Sequence, residues 1–415
     1  MKIDISPLTK NKNFRYLFLG QFVSYFGTLI SVTVVPLQVY NLTHSSAMVG
    51  LISIVELVPM LLAAFLGGAL ADHFDRKKLL VVCEFLMAVG IGILMINSTF
   101  SQPSLVVIFI VSALMQAING FHRPSMDSLG QALLLRQEIP AAAALQSFKF
   151  GFVTLFGPSI GGILISTAGA HVAYAFDLAT FVFSIIMLCS LKTQHLVREK
   201  NKLKLASSLI EGLKYAVKRQ EILGTYIIDL VAMGLAFPVA LFPALSHEWG
   251  QTKKIGLLYS ALAVGSLAVP LFSGWAAKVQ KQGQVIIVAA ALWGIGIALF
   301  GMVENFWLAL VFLALAGFAD TVSGLFRSMI WNQTIPNEIR GRMAGLEMMS
   351  YMTGPLIGNA RAGWIASVTS NHFSLIFGGF MCVVFVSLTA VLLPHFWKYA
   401  NREVRIDAIS IAKDG

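Results

Sequence analysis

The sequence predicts an all-α integral membrane protein of twelve transmembrane helices, arranged as two six-helix bundles related by a pseudo-two-fold axis. Three observations predict it. Of 415 residues, 57% are hydrophobic and 12% charged, against about 45–50% and about 25% in soluble domains. The apolar residues fall in repeated runs of about 20, the length a helix needs to cross a hydrocarbon core of about 30 Å. A Gly-Pro element and an intramembrane arginine also recur about 200 residues apart, as a duplicated 6+6 architecture requires. Lipid offers no partner to the backbone, so each run is read as a helix.

The twelve spans run approximately from Phe14 to Tyr40, Ala47 to Ala71, Leu79 to Asn97, Ser104 to Leu135, Ile139 to Thr167, Val172 to Leu191, Ile222 to Leu245, Ile255 to Ala277, Val285 to Val303, Phe306 to Asn332, Arg342 to Val368 and Phe373 to Leu393. Residues 1–191 form an N-terminal bundle, 192–221 a cytoplasmic connector, 222–394 a C-terminal bundle and 395–415 a cytoplasmic tail. Within the connector Leu203, Leu205, Leu209, Ile210, Leu213 and Val217 recur at helical spacing among lysines, which predicts an amphipathic surface helix.

The chain carries 30 Lys and Arg against 20 Asp and Glu, but the position of the cations matters more than their number. The odd-numbered loops hold only Lys253 and Lys254, while the termini and the even-numbered loops hold most of the rest. Positive residues stay inside, so both termini are expected in the cytoplasm of a cell whose inner (plasma) membrane holds the protein. The same distribution explains the basic charge by phospholipid headgroups and excludes a nucleic-acid role. Cys83, Cys189 and Cys382 lie in separate apolar runs and make neither a disulfide framework nor a metal site. No grouping of nucleophile and base, phosphate-binding glycine loop or His/Cys ligand spacing accompanies the spans, so neither an enzyme nor a cofactor is expected.

Gly68-Ala69-Leu70-Ala71-Asp72-His73-Phe74-Asp75-Arg76-Lys77-Lys78 joins spans two and three. Small residues there let helices approach, and Asp72 is placed to accept from the unpaired N–H groups at the start of span eleven, near Arg342. The stretch resembles the signature of the major facilitator superfamily, Gly-x-x-x-Asp-x-x-Gly-Arg-Lys/Arg-Lys/Arg, with Asp75 in place of the second glycine. Asp-Arg-Lys-Lys at this point is similar to the branch containing the enterobactin exporters and the macrolide efflux proteins. Leu241-Phe242-Pro243-Ala244-Leu245 and Gly341-Arg342-Met343-Ala344-Gly345-Leu346 resemble the siderophore exporters within it. The resemblance implies that Gly68, Asp72, Asp75, Arg76, Lys77 and Lys78 form a gating loop that latches the two halves.

Span five carries Gly157, Pro158, Gly161 and Gly162, and span eleven carries Gly354, Pro355 and Gly358. Proline removes a backbone hydrogen bond and the glycines loosen the helix, which predicts a kink against a neighbouring helix. The first element resembles the antiporter motif of the superfamily, though Ala144 and Val153 stand where that motif has glycines. Span four carries Gln116-Ala117-Ile118-Asn119-Gly120, similar to the Arg-x-x-Gln-Gly pattern of proton-coupled members, with Gln116 in place of the arginine. An amide cannot tune a neighbouring carboxylate as an arginine does, so a proton relay must use other residues.

Ionisable residues inside spans are costly and mark function. Glu56 and Asp320, one in each half and without a partner on their own helix, are the leading coupling candidates, followed by Asp127 and Asp229. Asp320 and Arg327 are two turns apart, about 10.5 Å along the axis, which argues against a direct pair. Arg123 and Asp127 are one turn apart and can pair. Glu84 and Glu347 lie near cytoplasmic helix starts and are read as dipole-stabilised structural carboxylates. Asp177 is placed close to the outer interface, and His122 and His372 are read as isolated structural histidines. Substrate candidates are Gln21, Gln38, Gln116, Asn119, Arg123, Lys149, Arg327, Trp331, Asn332 and Arg361, the cations suiting an anionic or catecholate ligand.

The expected function is secondary active export of a small amphiphilic molecule, a siderophore first, by alternating access and proton antiport. Multidrug or macrolide efflux on the same scaffold is the alternative, followed by solute import. The expected partners are that small molecule and the lipid bilayer, for a monomer.

Overall fold

The computed structural model describes residues 4–71, 75–192, 212–271, 273–336 and 339–400. Twelve long helices follow the predicted order: α1 (Lys12–Thr43), α2 (Ser46–Ala71), α3 (Arg76–Asn97), α4 (Leu105–Ala132), α5 (Ile139–Ala168), α6 (Ala170–Cys189), α7 (Gln220–Ala236), α8 (Ile255–Leu271), α9 (Gln282–Met302), α10 (Phe306–Thr334), α11 (Arg340–Val368) and α12 (Asn371–Leu392). Ten of the described segments are long and apolar enough to cross a membrane. At 17 residues α8 is short for a crossing, and α11 is diluted by Arg340, Arg342, Glu347 and Arg361.

Two spans differ from expectation, each for a local reason. The seventh is broken, because Pro238 disfavours the helical conformation at Phe237, whose ψ is 120°. The chain passes through a 3-10 turn, Val239–Leu241, into a short helix, Phe242–Glu248. The Asn359 side chain satisfies the freed Ala240 N–H at 2.9 Å. The eighth ends as an α-helix at Leu271, just after Pro270, and Ser273–Lys278 continues as 3-10 helix. By contrast, Pro158 and Pro355 sit inside α5 and α11 without interrupting either helix. In the connector, 212–217 is helical and Leu213 and Val217 are exposed, in keeping with an apolar face turned outward. Leu203, Leu205, Leu209 and Ile210 lie outside the described residues.

The chain divides into two compact units, Met1–Ala206 with Phe242–Ser260, and Ser207–Leu241 with Ala261–Gly415. In the first, α1 packs on α5 and α6, α3 on α4 and α6, and α2 on α4. In the second, α7 packs on α11 and α12, and α9 on α10 and α12. Four of the five pairings in the first unit have a counterpart in the second, as duplication predicts. Ends match too: Asn11 ahead of α1 donates to the Leu133 carbonyl at the end of α4 (2.6 Å), and Tyr215 ahead of α7 donates to the Thr334 carbonyl at the end of α10 (3.1 Å).

Helices cross in close contact at the paired Gly-Pro elements. A Cβ on Gly157 would come 2.9 Å from Leu29 Cβ, and one on Gly161 would come 2.9 Å from the Ile30 carbonyl, so α5 rests on the α1 backbone. A Cβ on Gly354 would come 2.8 Å from Met233 Cβ, and one on Gly358 would come 2.8 Å from Phe237 Cβ, so α11 rests on α7. Within the first unit a Cβ on Gly162 would come 2.7 Å from the Gly256 nitrogen, and Ser260 donates to the Leu155 carbonyl at 2.5 Å. At these positions the absent side chains let the helix backbones approach closely.

Candidate functional site

Each unit buries one cluster of polar and ionisable side chains, and the two clusters are built differently. In the first unit Glu84 of α3 is completely buried. Its Oε1 accepts from Gln21 Nε2 of α1 at 2.7 Å and lies 2.9 Å from His122 Nε2 of α4. Its Oε2 accepts from the Ser24 hydroxyl at 3.2 Å, and Gln21 also reaches Ser184 of α6 at 3.4 Å. Three helices thus meet at one carboxylate, and a fourth, α6, reaches it through Gln21. Glu84 is eight residues into α3, beyond the reach of the helix-start dipole, which corrects its reading as a dipole-stabilised carboxylate. Asp75 takes the dipole position instead: it caps α3, accepting from the Lys77 and Lys78 N–H groups at 2.9 and 3.1 Å. His122 is likewise not isolated, and Gln21 is committed to Glu84.

Asp177 also departs from expectation. It is fully buried, and Ser31 and Thr180 donate to it. One turn outward, the Tyr174 hydroxyl donates to Gln38 at 2.7 Å. Lys149 is buried with its ammonium 5.8 Å from the Phe18 ring centroid. Asp127 is exposed on the unit and has Arg123, Lys149 and His122 as electrostatic neighbours. Asn119 donates to Gln116 at 3.3 Å. Glu56, partly buried on α2, has no hydrogen-bond or ion-pair partner among the described residues.

In the second unit the buried charge is paired. Arg327 of α10 forms a short ion pair with Asp229 of α7, and Ser350 of α11 donates to the other Asp229 oxygen at 3.1 Å. Asp320 lies 3.9 Å from Arg327 Nη2, so the long side chain spans the two turns that the axial rise had argued against. Trp331 donates to the Thr225 hydroxyl at 2.8 Å and stacks on Tyr226 at 5.5 Å between centroids. Arg361 packs its guanidinium against Gly378 and donates to the Ser374 carbonyl at 3.4 Å, a contact internal to α11 and α12. Asn332 is exposed. His372 Nδ1 donates to the Gly301 carbonyl at 2.7 Å.

At the loop between α2 and α3, Gly68 belongs to the helical end of α2, and Asp72 lies outside the described residues. Lys77 extends to the carbonyls of Leu191 (2.6 Å) and Cys189 (3.3 Å), placing a cation on the C-terminal end of α6. Arg76 opens α3, and Lys78 is exposed.

Long apolar helices in two units of matching internal packing, each burying ionisable side chains among its own helices, define a multi-pass membrane transporter. The chain belongs to the transmembrane secretion effector family, whose model matches residues 3–405. It is similar to the enterobactin exporter EntS of Escherichia coli K12, with 27% identity over 403 residues and 95% of each chain covered. The enterobactin exporter EntS of Citrobacter koseri is 26% identical over 399 residues, covering 96% of this chain and 95% of that one. Among solved structures, a bacterial homologue of the iron transporter ferroportin in an inward-facing state superposes with a TM-score of 0.70 at 15% identity, covering 93% and 98% of the two chains. The nucleoside transporter NupG gives 0.68 at 13% identity, covering 92% and 98%. These structures share the major facilitator fold with this chain.

The first-unit network was missed in the sequence because its members lie 60 residues or more apart in part: Gln21 and Glu84 are separated by 63 positions and Glu84 and His122 by 38. The available signal was the coincidence of a deep carboxylate and a deep histidine on consecutive spans.

Proposed function

We propose that this protein exports a siderophore across the inner membrane by alternating access, in exchange for protons, with both termini in the cytoplasm. The observation that carries this reading is the similarity to enterobactin exporters across 95% of both chains. A relationship of that extent spans both halves of the chain rather than one shared bundle. The residues agree with such a ligand. Arg123, Lys149 and Arg327 supply cationic groups for a catecholate, and the Tyr226–Trp331 stack supplies an aromatic surface. Residues 1–191 and 222–394 are proposed as the moving halves, the loop from Gly68 to Lys78 as their cytoplasmic latch, and the Gly157–Gly162 and Gly354–Gly358 crossings as the pivots. Glu56, Asp320, Asp127 and Asp229 are proposed as carboxylates for coupling; Glu56 has no ion-pair partner among the described residues and is free to exchange a proton, whereas Asp229 and Asp320 would exchange one by releasing Arg327.

The test is secretion under iron starvation. A strain lacking the gene should accumulate siderophore inside the cell and lose it from the medium, and a plasmid copy should reverse both. Unchanged secretion, with raised sensitivity to macrolides or other drugs, would instead support drug efflux.

A further inference from the structure

We propose that Glu84 and His122 together form the proton-binding site of the transporter, with Gln21 and Ser24 holding Glu84 in place. This rests on the reading of the protein as a proton-driven exporter and names the site of that coupling. The geometry comes first. Both Glu84 oxygens are occupied, Oε1 by Gln21 and His122 and Oε2 by Ser24, and the carboxylate has no exposure. Its neighbours on α1 are neutral donors, so the anion is oriented without being neutralised. His122 is the only basic group among the described residues within ion-pair distance of Glu84.

The charges facing the pair are limited. On α3 the thiol of Cys83 adjoins Glu84. On α6, Ser184 meets Gln21, and Asp177 is the carboxylate in electrostatic range of Glu84. On α4, His122 is followed in sequence by Arg123 and is in electrostatic range of Asp127, which Lys149 of α5 also reaches. With a neutral imidazole, Glu84 and His122 together carry one net negative charge, beside a second carboxylate at Asp177. One added proton makes the pair neutral. Burying an uncompensated charge is expensive, so the occupancy of that proton sets the electrostatic energy of the whole first unit. Imidazole is the side chain whose charge ordinarily changes between about pH 5 and 8.

Position supplies the link to cargo. Glu84 is sealed, but the His122 side chain retains 12% exposure, so the proton enters and leaves through the imidazole. His122 adjoins Arg123 and lies one turn from Asn119, both proposed to meet the substrate. A proton on the imidazole and an anionic ligand at Arg123 therefore act on the same turn of α4. Glu56, by comparison, has no ion-pair partner among the described residues, and Asp320 lies 3.9 Å from an arginine that Asp229 already engages.

The experiment compares the purified full-length transporter with E84Q, H122N and the control S367A, an exposed serine of α11 that donates to the Trp364 carbonyl of its own helix, each confirmed as a monodisperse folded species. Proton uptake after pH jumps between about pH 8 and 5 is measured without substrate. Loss of one proton's uptake in both E84Q and H122N, with S367A unchanged in number, supports the site. Unchanged uptake in both overturns it. In proteoliposomes, iron-free enterobactin transport under an imposed pH gradient should fall at least about fivefold in E84Q and H122N, while gradient-independent exchange persists. Full gradient-driven transport by either variant also overturns the site. If the wild type ignores enterobactin while the substrate-free proton step is lost in both variants, the siderophore reading fails and the proton site stands.

Discussion

Replacing Asp229 by Asn isolates the ion pair at the centre of the second unit. Arg327 and Asp229 keep side-chain exposures of only 12% and 8%, so screening by water is slight. Breaking a buried pair by removing one partner costs about 3–5 kcal/mol, because the remaining charge loses its compensation. Asp320, 3.9 Å from Nη2 and 37% exposed, offsets part of that loss, which puts Asp229→Asn at about 3 kcal/mol, the lower end of that range. Arg327→Gln leaves two carboxylates, although Ser350 still donates to Asp229, and its cost is of the same order. The double variant removes both charges and should recover much of the loss, with a coupling of at least about 2 kcal/mol. Equilibrium unfolding of the purified protein in mixed detergent measures all four states. Additivity of the single variants within about 0.5 kcal/mol would refute the claim that Arg327 is held by Asp229.

Three further outcomes follow from the packing. Gly161→Leu should disrupt the α1–α5 crossing, where even a Cβ would come 2.9 Å from the Ile30 carbonyl, costing at least about 1–3 kcal/mol; Gly92→Ala, with nothing within 4 Å, should be neutral or slightly stabilising, and folded yield by fluorescence-detected gel filtration separates them. Lys77→Met should weaken the end of α6 by about 0.3–1 kcal/mol, and Lys77→Arg should retain most of it, read as hydrogen exchange at Leu188–Leu191. Cys189 is exposed while Cys83 and Cys382 are buried, so a membrane-impermeant maleimide should label one cysteine, and only from the cytoplasmic face if both termini lie inside.

Much of the fold was legible because it depends on local quantities. Apolar runs of membrane length have one backbone solution in lipid, and the Gly-Pro echo marked α5 and α11 as corresponding helices. The break after Ala236 was also present in the chain, at Pro238, but an unbroken run of apolar residues concealed it. The candidate site was less legible. Asp229 and Arg327 were recognised as separate deep charges, and only the folded unit joins them. Glu84 was misread for a geometric reason: its depth was counted from a helix start at Leu79, whereas Asp75 caps α3 and starts it at Arg76. That difference of three residues moves Glu84 from the dipole region into the interior. For Arg361 only its depth was legible in the sequence, and the structure adds its neighbours, Gly378 and the Ser374 carbonyl.

By itself the sequence determined that this chain is a multi-helix membrane transporter, since hydrophobic run length, cation placement and internal repetition are properties of short segments and their order. The tertiary structure decided which charges meet. A carboxylate on α3, an imidazole on α4 and an amide on α1 are brought together by the crossing of helices far apart in the chain, and the low dielectric between those helices makes their pairing decisive. Segment composition carries no record of which faces will be turned toward one another, and packing alone supplies it.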